Sequence, residues 1–251
     1  MVDSVTLKKT LLKWYLDNGV EFSLSKINKK QNQLQNSLIR SDTEINNNNA
    51  LDIETHPILI KNCKSLKKLR EAVLGFSGCS LKKTAKNTVF SDGNPSANVM
   101  LIGESPGEED DKKGIPFLGE AGILLDKMLS AIGQDRKNTY LSNIIFWRPP
   151  GNRKPTEEEI RICLPFVKKH IELVRPKILI LVGAIAAKAI YGIETGITQV
   201  RGNWKSISLD SGFELKSIAI FHPAFLLRQP ARKKEAWEDL KKIKIEIDKN
   251  T

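Results

Sequence analysis

Residues 99–122, VMLIGESPGEEDDKKGIPFLGEAG, decide the fold. Val99–Ile102 is a short apolar run, the mark of a buried strand. It opens into a Gly-Glu-Ser-Pro-Gly turn, an acidic run with two lysines, and a second turn, Gly114-Ile115-Pro116-Phe117. Beyond Gly119, AGILLDKMLSAIG has the apolar period of a helix, read over 121–132. In open α/β folds, ligands bind where loops leave the carboxyl ends of parallel strands. A strand that empties into a carboxylate-rich loop punctuated by glycine and proline therefore marks a candidate site.

Outward from that stretch, strands and helices alternate. TYLSNIIF (139–146) reads as a strand before a proline-rich loop, RPPGNRKP. Thr156 with Glu159 forms a capping box for a helix running to Val174. KILILV (177–182) has the unbroken apolarity of a strand covered on both faces; AIAAKAIYG follows it as a helix, and LKSIAIF (215–221) is a further strand running into His222-Pro223. A lysine-rich amphipathic helix with Trp237 closes the chain. The pattern predicts a three-layer α/β/α fold around a mostly parallel, four-stranded sheet with an N-terminal helical extension. The expected divisions are a helical extension over 1–25, with helical spacing at 6–20; an Asn/Lys-rich flexible linker over 26–56, too poor in apolar residues to offset its ordering entropy; and a compact domain over 57–251, opening on a helix at 57–74.

Forty Lys+Arg against 29 Asp+Glu give the 251-residue chain a net charge of +11. That excess suits a polyanionic partner, because phosphate contacts release counterions; a solvated basic surface would show the same number. No apolar run is long enough to span a bilayer, and the N-terminus lacks the pattern of a secretory signal, so the expected location is the cytoplasm. Cys63, Cys79 and Cys163 are too few and too scattered for a disulfide framework and read first as small buried hydrophobes.

Three strand exits carry polar groups: Glu104 to Asp111, Asn143, and His222. An acidic loop, a strand asparagine or a histidine before proline each has an ordinary structural explanation. A carboxylate, an amide and an imidazole at equivalent places of one parallel sheet argue together for a site.

The blocks GESPGEEDDKKGIPFLGEAG, YLSNIIFWRPPGNRKPTEEEIRIC, RPKILILVGAIAAKAI, VRGNW and HPAFLLRQPARKKEAWEDL, in this order over roughly residues 70–243, resemble the family 4 uracil-DNA glycosylases. The resemblance implies a monofunctional glycosylase that hydrolyses the N-glycosidic bond of uracil in DNA to start base-excision repair. The expectations that go with it are a monomer, uracil-containing DNA as the partner, a nucleoid-associated place in a bacterial-type cytoplasm, and downstream base-excision repair proteins as candidate further partners. Carried over motif by motif, Glu104, His222 and the acidic-run residue Asp110 are the catalytic candidates. Ser105 and Pro106 line the base pocket, Phe117 stacks on the base, and Asn143 reads its pyrimidine edge. Ala224 to Arg228 resembles the loop that enters the duplex. Arg148, Arg153, Lys154, Arg201 and Arg228, with Arg232 to Lys234, are candidates for phosphate contacts.

These residue types suit the reaction. The bond breaks through an oxocarbenium-like sugar while the base leaves as an anion. An imidazole donor stabilises that anion, a carboxylate handles water, and an aromatic ring with an amide holds a flipped base. Two features depart from the family. Asp110 stands where glutamate is usual, which allows a second reading as a catalytically weakened DNA-binding relative. The family also holds a 4Fe–4S cluster on four cysteines; here Cys79 and Cys163 remain, while Phe76 and Trp147 occupy the other two positions, so the expectation is no cluster and no other cofactor. A third reading, a metal-binding acidic loop in a nucleotide-binding accessory domain, lacks any P-loop sequence.

Overall fold

The computed structural model describes residues 60–250. The expected helix at 6–20 and linker at 26–56 lie outside them. The helix expected over 57–74 is α1, Leu66–Gly75, which starts late because the Ser65 side chain accepts the Lys68 N–H as its N-cap.

The sheet has six strands, not four. They are β1 (Asp92–Gly93), β2 (Val99–Gly103), β3 (Thr139–Asn143), β4 (Ile178–Val182), β5 (Trp204–Ser208) and β6 (Glu214–Ile220), in the spatial order β1-β3-β2-β4-β6-β5. The four expected strands form its parallel centre, and β1 and β5 add antiparallel edges. The edges escape a sequence reading because β1 has two residues and β5, WKSIS, is only partly covered. β3 stops at Asn143, before the apolar run it begins has ended.

Side chains alternate between faces along a strand, and two cores result. Met100, Ile102, Leu179 and Leu181 point to one side, where they meet α1, α4 (Glu157–Val174) and α5 (Ala184–Tyr191). Val99, Leu101, Ile178 and Ile180 point to the other, against α3 (Glu120–Ser130) and α8 (Lys233–Lys249). The predicted capping box is present: Thr156 accepts the Glu159 N–H, and Glu159 accepts the Thr156 N–H. Three shorter helices remain: α2 (Glu108–Lys113), α6 (Ile197–Val200) and α7 (Pro223–Arg228). Among the described residues no helix is long and apolar enough to cross a membrane.

One buried group makes the fold sensitive to acid. His170, fully buried on α4, stacks on Phe90 and shares a 2.9 Å hydrogen bond with the Tyr140 hydroxyl, and burial pushes its pKa down to about 3. The unfolded chain therefore binds a proton below pH 6.5 that the folded chain refuses. Stability is complete above that pH and declines as pH falls towards 3, by up to about 1.4 kcal/mol per unit. Denaturant titrations at pH 7 and pH 5 should show this decline, and His170→Gln should reduce it without abolishing it, because His222 is also buried, with a pKa of about 4, and adds a decline of its own.

Candidate active site

The carboxyl ends of β2 and β6 open onto a cavity of about 470 Å³, lined among others by Glu104, Ser105, Pro106, Asp110, Phe117, Lys154, His222 and Arg228. Glu104 leaves β2 directly. Burial raises its pKa, while the charges of Lys154 and Arg228 oppose the rise.

His222 leaves β6 as the N-cap of α7. Its Nδ1 accepts the Ala224 N–H at 3.1 Å. Burial drives the imidazole pKa down to about 4, the Arg228 charge adds to this, and Asp110 works against it. The ring is therefore neutral at pH 7. With Nδ1 occupied as an acceptor, its proton sits on Nε2.

Phe117 stacks against His222, with ring centroids 6.4 Å apart and planes at 29°. Its backbone is left-handed, φ 58°, a strained state for a bulky residue. Three features hold it there. Arg136 donates to the Pro116 and Phe117 carbonyls and is anchored by Asp92 and Asp126. A side chain at position 122 would run into the Phe117 carbonyl, 1.8 Å from an added Cβ, so Gly122 admits the turn. Asp110 accepts the Leu118 N–H at 2.7 Å.

Asn143 lies at the end of β3, in register with Gly103. It is 2% exposed and does not line the cavity itself; it sits behind it, beside the Phe117 ring. An added Cβ on Gly103 would come within 2.4 Å of both Asn143 Oδ1 and Phe117 Cζ. Among the described residues the Asn143 Nδ2 is buried without a hydrogen-bond partner. An unmade buried donor costs about 1–3 kcal/mol.

Several expectations change. The acidic run is not a loop but α2. It forms without an apolar stripe because four carboxylates fall in its first turn and two lysines in its last, as the helix dipole favours. Asp110 has both oxygens committed, one to Leu118 and the other to the Gly107 N–H at 3.1 Å. These bonds hold the pocket loop in shape, and Asp110 also lines the cavity. Arg201 already has a carboxylate partner. It is bound to Asp239 at 2.7 Å and stacks over Phe221, 4.9 Å from the ring centroid. Arg153 is bonded by two nitrogens to Glu159. Arg148 is tied to Asn152 and, at 3.6 Å, to Glu108. Arg228 has no carboxylate partner among the described residues and stands at the cavity.

Two supports were not foreseen. Arg136 sits in an ordinary polar turn, and nothing in the sequence marks it. Asp111 accepts the Lys86 and Asn87 N–H groups, anchoring α2 to the preceding segment.

The cluster that the resemblance implies does not fit. Phe76 and Trp147 are buried side by side, ring centroids 6.5 Å apart. Cys79 and Cys163 hydrogen-bond to each other. Four thiolates are needed, two are present, and aromatic rings fill the remaining space. Among the described residues no three histidine, cysteine or acidic groups gather where they could hold a metal ion.

The family profile described as the uracil DNA glycosylase superfamily matches residues 90–241, which include both ends of the cavity. A type-4 uracil-DNA glycosylase of Archaeoglobus fulgidus is 37% identical over 184 residues, 72% of this chain and 92% of the relative. Type-4 uracil-DNA glycosylases of Sulfurisphaera tokodaii (38% over 191 residues, 72% of this chain and 84% of the relative) and Thermotoga maritima (37% over 182 residues, 71% and 93%) are similarly close. On this profile match and these identities over more than two thirds of each relative, the chain belongs to the uracil-DNA glycosylase superfamily, in the type-4 family.

Proposed function

We propose that this chain is a monofunctional uracil-DNA glycosylase, and the observation that carries the reading is the buried, unpartnered Asn143 amide beside the Phe117 ring. Uracil offers O4 as an acceptor and N3–H as a donor. An amide answers both, whereas cytosine presents the reverse pattern at these positions. Phe117 supplies a face for stacking, and the cavity admits a base only after it leaves the helix.

Hydrolysis follows from the two sides of the site. As the bond between C1′ and N1 breaks, its electron pair leaves with the base, and negative charge develops on O2. The neutral His222 donates its Nε2–H to that oxygen, a preorganised dipole aimed at charge that appears only in the transition state. Glu104 faces the positive sugar, orients a water towards C1′ and takes its proton as the C1′–O bond forms. The uracil anion is then protonated by solvent. Asp110, shorter than the glutamate usual in the family, still reaches both of its backbone amides, so the shortening does not favour the weakened reading. Lys154, on the cavity wall, is exposed; an exposed ammonium is a poor nucleophile, which supports hydrolysis without strand cleavage.

The DNA backbone is held by Arg228 and Lys154, at the cavity mouth. Arg228→Ala should weaken binding to any sequence and reduce the salt slope of log K by about one. Arg201→Ala should leave the slope unchanged and cost about 3 kcal/mol in stability, because it strands a buried Asp239. Paired salt titrations and melts separate the two. Working on DNA, the enzyme belongs in the cytoplasm with the chromosome. A uracil-containing oligonucleotide tests the assignment: intact strands that break only after alkali support it, and strands nicked before alkali would reveal a lyase.

A further inference from the structure

Phe76, Cys79, Trp147 and Cys163 come from three places in the chain and meet in one core. Phe76 follows α1 and Cys79 stands three residues on; Trp147 follows the β3 exit; Cys163 is on α4. Both cysteines and Trp147 are at most 1% exposed, and Phe76 is 3% exposed. The Phe76 ring packs edge-on against Phe166 of α4 at 5.1 Å and stacks with Trp147. It also folds back over its own loop, so that a Cβ at Gly78 would lie 2.5 Å from its ring. Trp147 is fixed in turn by a 2.9 Å hydrogen bond from its indole N–H to Thr88 Oγ1. The rings therefore join the end of α1, the β3 exit and α4, the three segments that the four family thiolates would bridge through iron.

We propose that Phe76 and Trp147 form an aromatic staple in place of the iron–sulfur cluster, so that this type-4 family member folds without iron. The inference rests on family membership and on the packing, not on uracil excision. The staple is also part of how the site is built. Trp147 begins the proline-rich loop that brings Asn152 and Lys154 to the cavity wall. An aromatic contact can hold that loop where a cluster would have done so, and it has no oxidation state to lose.

The test uses the full chain, purified anaerobically and incubated with ferrous iron and sulfide, beside the double variant Phe76→Cys/Trp147→Cys. The wild type should stay colourless, without stoichiometric iron, and should melt at the same temperature with and without a chelator. The double variant, with four thiols at the family positions, should gain a broad visible absorption and about four irons per chain. A coloured wild type with about four irons overturns the proposal. So does a double variant that stays colourless while its circular dichroism shows it folded, because positions 76 and 147 would then not be what excludes the cluster. If the double variant does not fold, the wild-type absorption, iron content and chelator-independent melt decide alone. Uracil release by the wild type is measured in the same preparations: a colourless, folded protein without release would unseat the glycosylase reading and leave the staple standing.

Discussion

His222→Ala lowers single-turnover uracil release by about 10²–10³-fold at pH 7–8, the usual cost of removing one donor to a developing oxyanion. The shape of the pH profile distinguishes this account from one built on a charged imidazole. With its pKa near 4, His222 stays neutral from pH 6 to 9, so the wild-type profile carries no inflection near 6.5. Any acid limb belongs to Glu104, whose carboxyl burial raises and which must be ionised to take a proton from water. His222→Ala therefore lowers the whole profile and leaves its acid limb in place. A wild-type inflection near 6.5 that disappears in the variant would mean that imidazolium is the active form.

Asn143→Ala has an effect of similar size through a different channel. Two hydrogen bonds to the base are lost in a site that excludes water, at about 1.5–2 kcal/mol each, giving a fall of about 10²–10³-fold in kcat/KM. Stability moves the other way or hardly at all, because the wild-type Nδ2 is a buried donor that nothing in the protein satisfies. A variant that is both inactive and much less stable would show that Asn143 is a structural group after all. Thermal melts beside single-turnover rates, on uracil and on abasic-analogue duplexes, decide the question. Loss confined to catalysis on uracil, with binding to the analogue retained, is the expected pattern.

The parts of the molecule that were legible in the sequence are those where one local rule dominates. β2, β3 and β4 are buried along their whole length and read as apolar runs or as their beginnings. Thr156 and Glu159 are a capping signature that needs no tertiary context. Glu104, Phe117 and His222 lie in motifs that the topology brings to one cavity. What was not legible depends on partners far away in the chain. β5 is half-exposed and pairs only because β6 offers an edge. α2 has no hydrophobic period and is held by charge at its ends and by Asp111 reaching back across 25 residues to Lys86. A positive residue in a motif looks the same whether it faces DNA or a buried carboxylate: Arg201 and Arg228 differ only in that Asp239, on a helix formed 38 positions later, reaches the first. Asp110 is the same case with the sign reversed, a carboxylate on α2 at the cavity whose oxygens accept from backbone amides.

The central claim, that the cavity at the ends of β2 and β6 excises uracil read by Asn143, is tested most directly by single-turnover release of free base from matched oligonucleotides carrying uracil or cytosine at one position. The account predicts free uracil from the wild type, none from the cytosine strand, and a loss of about 10²–10³-fold in Asn143→Ala. No release of uracil from a folded, DNA-binding protein, or release that Asn143→Ala leaves unchanged, would contradict it.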